Sequence, residues 1–292
     1  MMRVTWQDVG HLRVAALLDG EADLGTSYAE AFAGFPAETL ASSWATMPSL
    51  EGASGAWHLY SRAWLVLHPG GVVLVDTGVG GPRAPASSWF PEPGRLHEAL
   101  REAGTTPDQI DTVVITHVHD DHLSGAVTDD DAPVPAFPRA RYLLQRDDIA
   151  FQREAADESD EDREILERSL EPLLATGVVE TLDGHHTLAD GIELRHAPGH
   201  TPGHQIVRLS SRGRRLTITA DAFLHPAQLA HPDWPAETDA HPARAAATRR
   251  EIVASLFSNP GTVISPTHFD EPFGTVVPGP DGLAAWRVAA AN

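Results

Sequence analysis

The hydrophobic and polar positions fall into blocks that alternate in kind along the chain. Two apolar runs, Ala63 to His68 and Val72 to Val75, flank Pro69-Gly70-Gly71 and read as a hairpin of largely buried strands. The second run ends in Asp76-Thr77-Gly78, where the chain must turn sharply. A Pro/Ser-rich loop from Pro82 to Pro93 follows, and Leu96, Leu100 and Ala103 then repeat at helical spacing between Gly94 and Gly104. The β-branched run Thr112 to Thr116 predicts a strand that stops at a histidine. Strand, helix and strand in this order fit one layered α/β unit.

Farther along, Arg141 to Gln145 predicts a strand, Asp147 to Arg153 a short helix and Arg163 to Ala175 a longer one. Strands are expected at Val178 to Leu182, Ile192 to His196, Gln205 to Leu209 and Leu216 to Ala220. Pro242 to Phe257 reads as a long helix, and Thr262 to Ser265 as a last short strand running into Pro266-Thr267-His268. No short-period repeat and no linker is visible. One domain over residues 1–292 is the expectation, with two similar β-rich halves as the alternative.

Composition narrows the chemistry. The 292 residues include no cysteine and no lysine, so all 21 basic residues are arginine. That excludes thiolate metal sites, disulfides, cysteine nucleophiles, Schiff-base lysines and phosphate-loop lysines. The net charge of −20 opposes a nucleic-acid partner. Asp157 to Glu171 holds eight acids and two arginines, and reads as a solvated helix face or as a lid or partner surface. No basic leader with an apolar run opens the chain, and no stretch nears the roughly 20 apolar residues of a membrane span. A cytoplasmic location and no membrane partner are expected.

The densest chemistry is Thr116-His117-Val118-His119-Asp120-Asp121-His122, directly after a predicted strand. Imidazole suits zinc and related ions, and carboxylate oxygens complete such sites. Alternation at His117 and His119 sends both rings one way while the chain is extended, and the next turn brings Asp121 and His122 nearby. Further candidates close later strands: His196 to His204, with two glycines and two prolines in a rigid turn, then Asp221 and His268. Four strand ends offering His or Asp is the pattern of loops gathered at one sheet edge.

These motifs resemble the metallo-β-lactamase-fold hydrolase superfamily, on His117-Val-His119-Asp-Asp121-His122, Gly199-His200-Thr201-Pro202-Gly203-His204, Asp221, His268 and the Asp76-Thr77-Gly78 turn. The resemblance spans roughly Ala63 to Phe269. It implies a four-layer αβ/βα sandwich, two mixed β-sheets flanked by helices. It also implies two divalent ions, zinc first and manganese, cobalt or iron as alternatives. His117, His119 and His200 would hold one ion, Asp121, His122 and His268 the other, with Asp221 bridging. His204 and Asp76 would support the ligands. Two such ions roughly 3.5–4 Å apart share a water, lower its pKa toward about 7 and make the bridging hydroxide the nucleophile. Asp121 would orient that hydroxide and pass its proton to the leaving group. No Gly-x-Ser-x-Gly elbow suggests a serine route.

Within the superfamily the chain is most similar to acyl-homoserine lactonases and methyl parathion hydrolase-like enzymes. The region Asp221 to Trp234, Asp239 and the Thr248-Arg249-Arg250 helix look most like the latter. Leu224 stands where homoserine lactonases bear a tyrosine, so that phenol's help to the oxyanion is missing or comes from a side chain such as His225. Phe223, His225 and Trp234 are the candidate substrate-binding residues. Trp57, Trp64 and Trp89 are read as core or loop packing, with an apolar pocket wall as the alternative. The expected reaction is hydrolysis of a small ester-like bond in a small-molecule substrate, lactone or carboxylic ester first and phosphotriester second. A mononuclear iron persulfide dioxygenase and a non-catalytic metal-stabilised binding protein are the other readings. A homodimer is the remaining expectation about partners.

Overall fold

The computed structural model describes residues 3–31, 56–279 and 282–289. Two mixed sheets of seven strands each carry the fold, and within each the strands lie side by side in chain order. The first holds β1 (Val4–Val9), β2 (Leu12–Ser27), β3 (Ala56–His68), β4 (Gly71–Val75), β5 (Thr112–Val114), β6 (Arg141–Gln145) and β7 (Val179–Leu182). The second holds β8 (His186–Ala189), β9 (Ile192–His196), β10 (Gln205–Ser211), β11 (Arg214–Ala220), β12 (Val263–Pro266), β13 (Gly274–Pro278) and β14 (Ala284–Val288).

The alternation of side chains along the strands makes four layers. Val14, Ala16, Trp64, Val66, Val73 and Val75 face Leu194, Val207, Leu209, Leu216 and Ile218 between the sheets. Their neighbours Ala15, Leu17, Ala63, Leu65 and Leu74 point the other way, onto the helices Leu96–Glu102 and Arg146–Ala155. Ile206 and Ile264 on the outer face of the second sheet pack against Ile252 and Leu256 of the helix Pro242–Ser258. This is the αβ/βα sandwich that the motifs implied.

Strand direction places the site. The first sheet turns from antiparallel to parallel pairing at β4–β5, and the second has its one parallel pair at β11–β12. Parallel neighbours end at the same edge, where open α/β sheets present their loops. Asp76 follows β4, His117 lies just past β5, Asp221 follows β11 and His268 lies just past β12. Among the described residues, no helix is long and apolar enough to cross a membrane.

Several elements differ from the expectations. β1, β2, β8, β13 and β14 had no clear signal. The helix expected from Arg163 to Ala175 begins earlier, as Asp160–Ile165, and passes through a π segment, Leu166–Leu170, before Glu171–Ala175. The wider π turn carries one extra residue, so Ile165, Leu170 and Leu173 all reach the same core.

Candidate metal centre

Each motif is held at its strand end by a specific backbone device. Asp76 has φ 60°, outside the usual range for a side chain other than glycine, and its carboxylate turns back across the sheet edge. It accepts from the Thr116 amide at 2.7 Å, the Thr116 hydroxyl at 2.8 Å and His122 Nδ1 at 2.9 Å. The short helix Asp120–Leu123 starts after His119 and swings Asp121 and His122 inward. Ala220 has φ 43°, and the β11–β12 register shifts there, so the chain leaves the sheet with Asp221 pointing into the site. At Gly199 (φ 139°) a β-carbon would lie 2.1 Å from the Ala245 amide nitrogen, so this turn packs on the helix Pro242–Ser258 only with glycine.

These devices bring together all seven residues read as ligands. His119 Nδ1 lies 3.1 Å from His117 Nε2 and 3.2 Å from His200 Nε2. A tetrahedral ion with bonds of about 2.05 Å separates neighbouring donor atoms by about 3.3 Å, so both of these spacings match neighbouring donors in such a shell. Asp121, His122 and His268 form a second set, and His117, His122 and Asp221 join the two. Asp221 Oδ2 is central. It lies 2.8 Å from His268 Nε2, 3.4 Å from His122 Nε2, 3.6 Å from His200 Nε2 and 3.8 Å from His117 Nε2.

Partners on the far ring nitrogens orient the imidazoles. His122 Nδ1 meets Asp76, His268 Nδ1 donates to the Tyr60 carbonyl at 2.8 Å, and His200 Nδ1 lies 3.4 Å from Asp239 Oδ1. Asp239 is itself fixed by Arg249 Nη1 at 3.1 Å. His204 donates Nδ1–H to the Ala197 carbonyl at 3.2 Å, while its Nε2 is buried without a partner. Its ring braces the Ala197–His204 turn from inside and stands outside the three donor sets.

Two supports were not anticipated. Asp148 accepts from the Val118 amide at 3.1 Å, the Thr201 hydroxyl at 2.9 Å and the Gly203 amide at 2.5 Å, tying the two histidine loops to one carboxylate. Arg62, buried in β3, donates to the carbonyls of Thr267, Phe269 and Asp270 and so grips the loop that carries His268. Each has a faint sequence signal. Asp148 shares the buried side of its helix with Ile149 and Gln152, and Arg62 interrupts a buried apolar run.

The electrostatics suit a cation. Burial, then the neighbouring imidazoles, holds His117 and His119 well below the usual histidine range, so both are neutral with free lone pairs. Burial acts to raise Asp221, yet the His268 and His122 charges outweigh it and keep that carboxyl well below its usual value. Asp121 Oδ2, His122 Nε2 and Asp221 Oδ1 are buried with no hydrogen-bond partner. Buried polar atoms are rarely left so. Imidazole and carboxylate donors at these spacings, with unpartnered oxygens among them, fit metal binding.

A cavity of about 730 Å³ opens onto this cluster. His119, Asp121, His200, Asp221 and His268 form its base, while Leu24, Trp57, Leu59, Trp89, Ile165 and Leu224 give it an apolar wall. Of the tryptophans, Trp57 and Trp89 line it, whereas Trp64 lies between the sheets and donates to Ser265 Oγ at 2.7 Å. Phe223, His225 and Trp234, the candidates for substrate contact, do not line it. Beyond Asp221 the chain sends Leu224 toward the cavity and packs Phe223 into the outer core. His225 is buried and accepts from the Ala227 amide, so it does not replace the missing tyrosine at the cavity wall. Trp234 stacks on His231 of its own loop, with ring centroids 4.2 Å apart. The acidic segment is more than a solvated face: Asp160, Glu161, Asp162 and Glu164 form a side of the cavity.

Comparison with known proteins agrees with this geometry. The sequence model of the Metallo-beta-lactamase superfamily matches residues 57–268. An N-acyl homoserine lactonase from a Bacillus species is 29% identical over 132 residues, 45% of this chain and 46% of the relative. The chain thus spans about half the length of that relative. In structure, the chain is similar to AbOPH, a hydrolase of the beta lactamase superfamily (TM-score 0.83, 23% identity, 100% of this chain and 99% of that one). It is also similar to AidC, a dizinc quorum-quenching lactonase in complex with the product N-hexanoyl-L-homoserine (TM-score 0.79, 21% identity, 99% and 98% covered).

Proposed function

Since the chain belongs to the metallo-beta-lactamase superfamily, we propose that it is a dinuclear metal-dependent hydrolase that opens a lactone or cleaves a small carboxylic ester. The observation that carries this reading is Asp221 Oδ2, one carboxylate oxygen within 4 Å of four imidazole nitrogens drawn from both donor sets. The matched lactonase relative and the dizinc lactonase AidC support it. His117, His119 and His200 would hold one ion and Asp121, His122 and His268 the other, with Asp221 within reach of both sets. When bound, two divalent ions lower the pKa of a water toward about 7 and polarise the substrate carbonyl.

The chain's own groups supply the rest. Asp121 Oδ2, buried and unpartnered, takes the proton of the attacking water and delivers it to the departing alkoxide, so atoms and charge balance across the cleavage. Trp57, Leu59, Trp89 and Leu224 line the cavity beside it and bind the acyl chain while excluding bulk water. No tyrosine stands at Leu224, so the developing oxyanion has no phenol from that position.

Metal content by mass spectrometry, with turnover of lactones, aryl esters and phosphotriesters under zinc, manganese, cobalt and iron, tests the reading. Two ions per chain and turnover of lactones or esters are expected. One iron per chain with sulfite formed from a persulfide would overturn it in favour of the dioxygenase. Absence of any turnover by the metal-loaded protein would leave a binding protein.

A further inference from the structure

The cavity beside the metal centre is uneven in charge. Besides Asp121 and Asp221 at its base, five acids line it, Asp120, Asp160, Glu161, Asp162 and Glu164, and among the described residues no arginine does. The chain has no lysine, so a negatively charged substituent on the side of the cavity away from the imidazoles meets no lysine or arginine among its lining residues. Two of the acids are partly offset from outside: Arg163 meets Asp160 at 2.6 Å and Arg168 lies 3.8 Å from Glu164. Asp162 Oδ1 accepts from Gln152 at 3.1 Å, a neutral partner that leaves its charge in place. Asp120 is fixed by Trp89, whose indole N–H donates to Oδ2 at 2.6 Å. Among the described residues, Glu161 lines the cavity and forms no ion pair.

An independent feature marks where the reacting group sits. Asp121 Oδ2 and Asp221 Oδ1 are buried, unpartnered and belong to residues at the base of the same cavity. A substrate whose carbonyl reaches that base has its remaining length between the apolar side, Trp57, Leu59, Trp89 and Ile165, and the acidic one.

Resting on the hydrolase reading, we propose that the acidic side selects the substrate by charge: the ester or lactone accepted is uncharged and apolar along its acyl chain, and anionic analogues are rejected. Coulomb's law at distances near 8 Å in a water-like medium gives about a two- to threefold effect for each charge.

The test pairs phenyl hexanoate with the monophenyl ester of adipic acid, which adds one distal carboxylate, and compares kcat/KM on the metal-loaded enzyme. At low ionic strength the anionic ester is expected to react at least tenfold less efficiently. That ratio should move toward one in high salt, where the screening length falls to about 3 Å. It should also rise about two- to threefold in Glu161→Gln, and further in Glu161→Gln/Glu164→Gln. A ratio near one that ignores both salt and substitution overturns the proposal. If neither ester is turned over, the hydrolase reading is decided by the lactone and phosphotriester panel instead. Charge selection is then read from calorimetric binding of hexanamide against the adipamate monoanion, where equal affinities overturn it.

Discussion

Replacing Asp148 by asparagine removes part of the acceptor capacity that ties the two histidine loops together. With its oxygen toward Val118 and Thr201, the amide keeps two of the three contacts and turns an NH2 group toward the Gly203 N–H. A buried hydrogen bond to a charged group contributes about 1.5–3 kcal/mol, and a donor left without an acceptor costs a similar amount. The asparagine variant should therefore lose about 2–3 kcal/mol. Asp148→Ala, with all three donors stranded, should lose about 4–6 kcal/mol, a large share of an ordinary domain's stability. The specific consequence concerns His119 and His200, whose nitrogens are 3.2 Å apart and sit on the two tied loops. Supporting partners of metal ligands typically change affinity about 10–100-fold. On protein loaded with the two zinc ions the proposal calls for, chelator competition should show one weakened by that factor in Asp148→Asn, with the other within about threefold of wild type, since Asp121, His122 and His268 do not touch this carboxylate. Thr201→Val, which removes one contact, should fall between. Two ions held as tightly as in wild type, or both weakened alike, would refute the reasoning.

Three other outcomes follow from the same geometry. His119→Ala should abolish hydrolysis and release the ion of the three-histidine set, and full metal content on elemental analysis would contradict its assignment. Asp121→Asn should lower kcat by about 10²–10⁴-fold with a smaller change in substrate affinity; a normal rate in single-turnover kinetics would rule out the proposed proton transfer. Burial holds the imidazole of His225 down to about 3, against about 6.5 in the unfolded chain. The unfolded state therefore binds a proton that the folded state refuses. Stability of the metal-free protein should fall as pH drops from 6.5 toward 3, by up to about 1.4 kcal/mol per pH unit from this residue. Equal slopes for wild type and His225→Asn in urea titrations across that range would show that His225 is not responsible.

The strands that could be read from the chain are the ones whose neighbours in sequence are also their neighbours in the core. The stretch 63–67 of β3, the strand β4 and the valines of β5 are apolar runs because both faces are covered. β2 was missed for a physical reason. Its pairing with β3 shifts between Leu18 and Gly20 and again between Asp23 and Ser27, which breaks the two-residue period over half its length. β13 and β14 are short, contain Gly274, Pro278 and exposed Val288, and exist as strands through pairing alone. The candidate ligands stand out because so many imidazoles and carboxylates do not crowd beside an apolar strand without a common purpose. Their supports did not, because Asp148 and Arg62 are single charged residues whose meaning comes from burial against loops distant in sequence. Two of the three expected cavity contacts, Phe223 and His225, fall one residue either side of Leu224, and the third, Trp234, packs on its own loop. Adjacent side chains after a strand end face opposite ways, and adjacency to Asp221 was a poor guide to which face is open.

The buried carboxylates explain why this acidic chain wants cations at its centre. Asp19, Asp76, Asp120, Asp121, Asp148, Asp221 and Asp239 are all nearly inaccessible, and burying a carboxylate is costly unless donors or counter-charges meet it. Asp76, Asp120, Asp148 and Asp239 have fixed N–H or O–H donors. Three keep an oxygen without any: Asp19, Asp121 and Asp221. Burial pushes Asp19 up to about 6, so it approaches its neutral form with little penalty. Asp221 cannot escape that way, since His268 and His122 hold it ionised. The unmet charge is thus concentrated where the two donor sets meet. Metal affinity at this point is also folding free energy, so chelation should cost the protein stability as well as turnover, most of all in the loops bearing His119, Asp221 and His268.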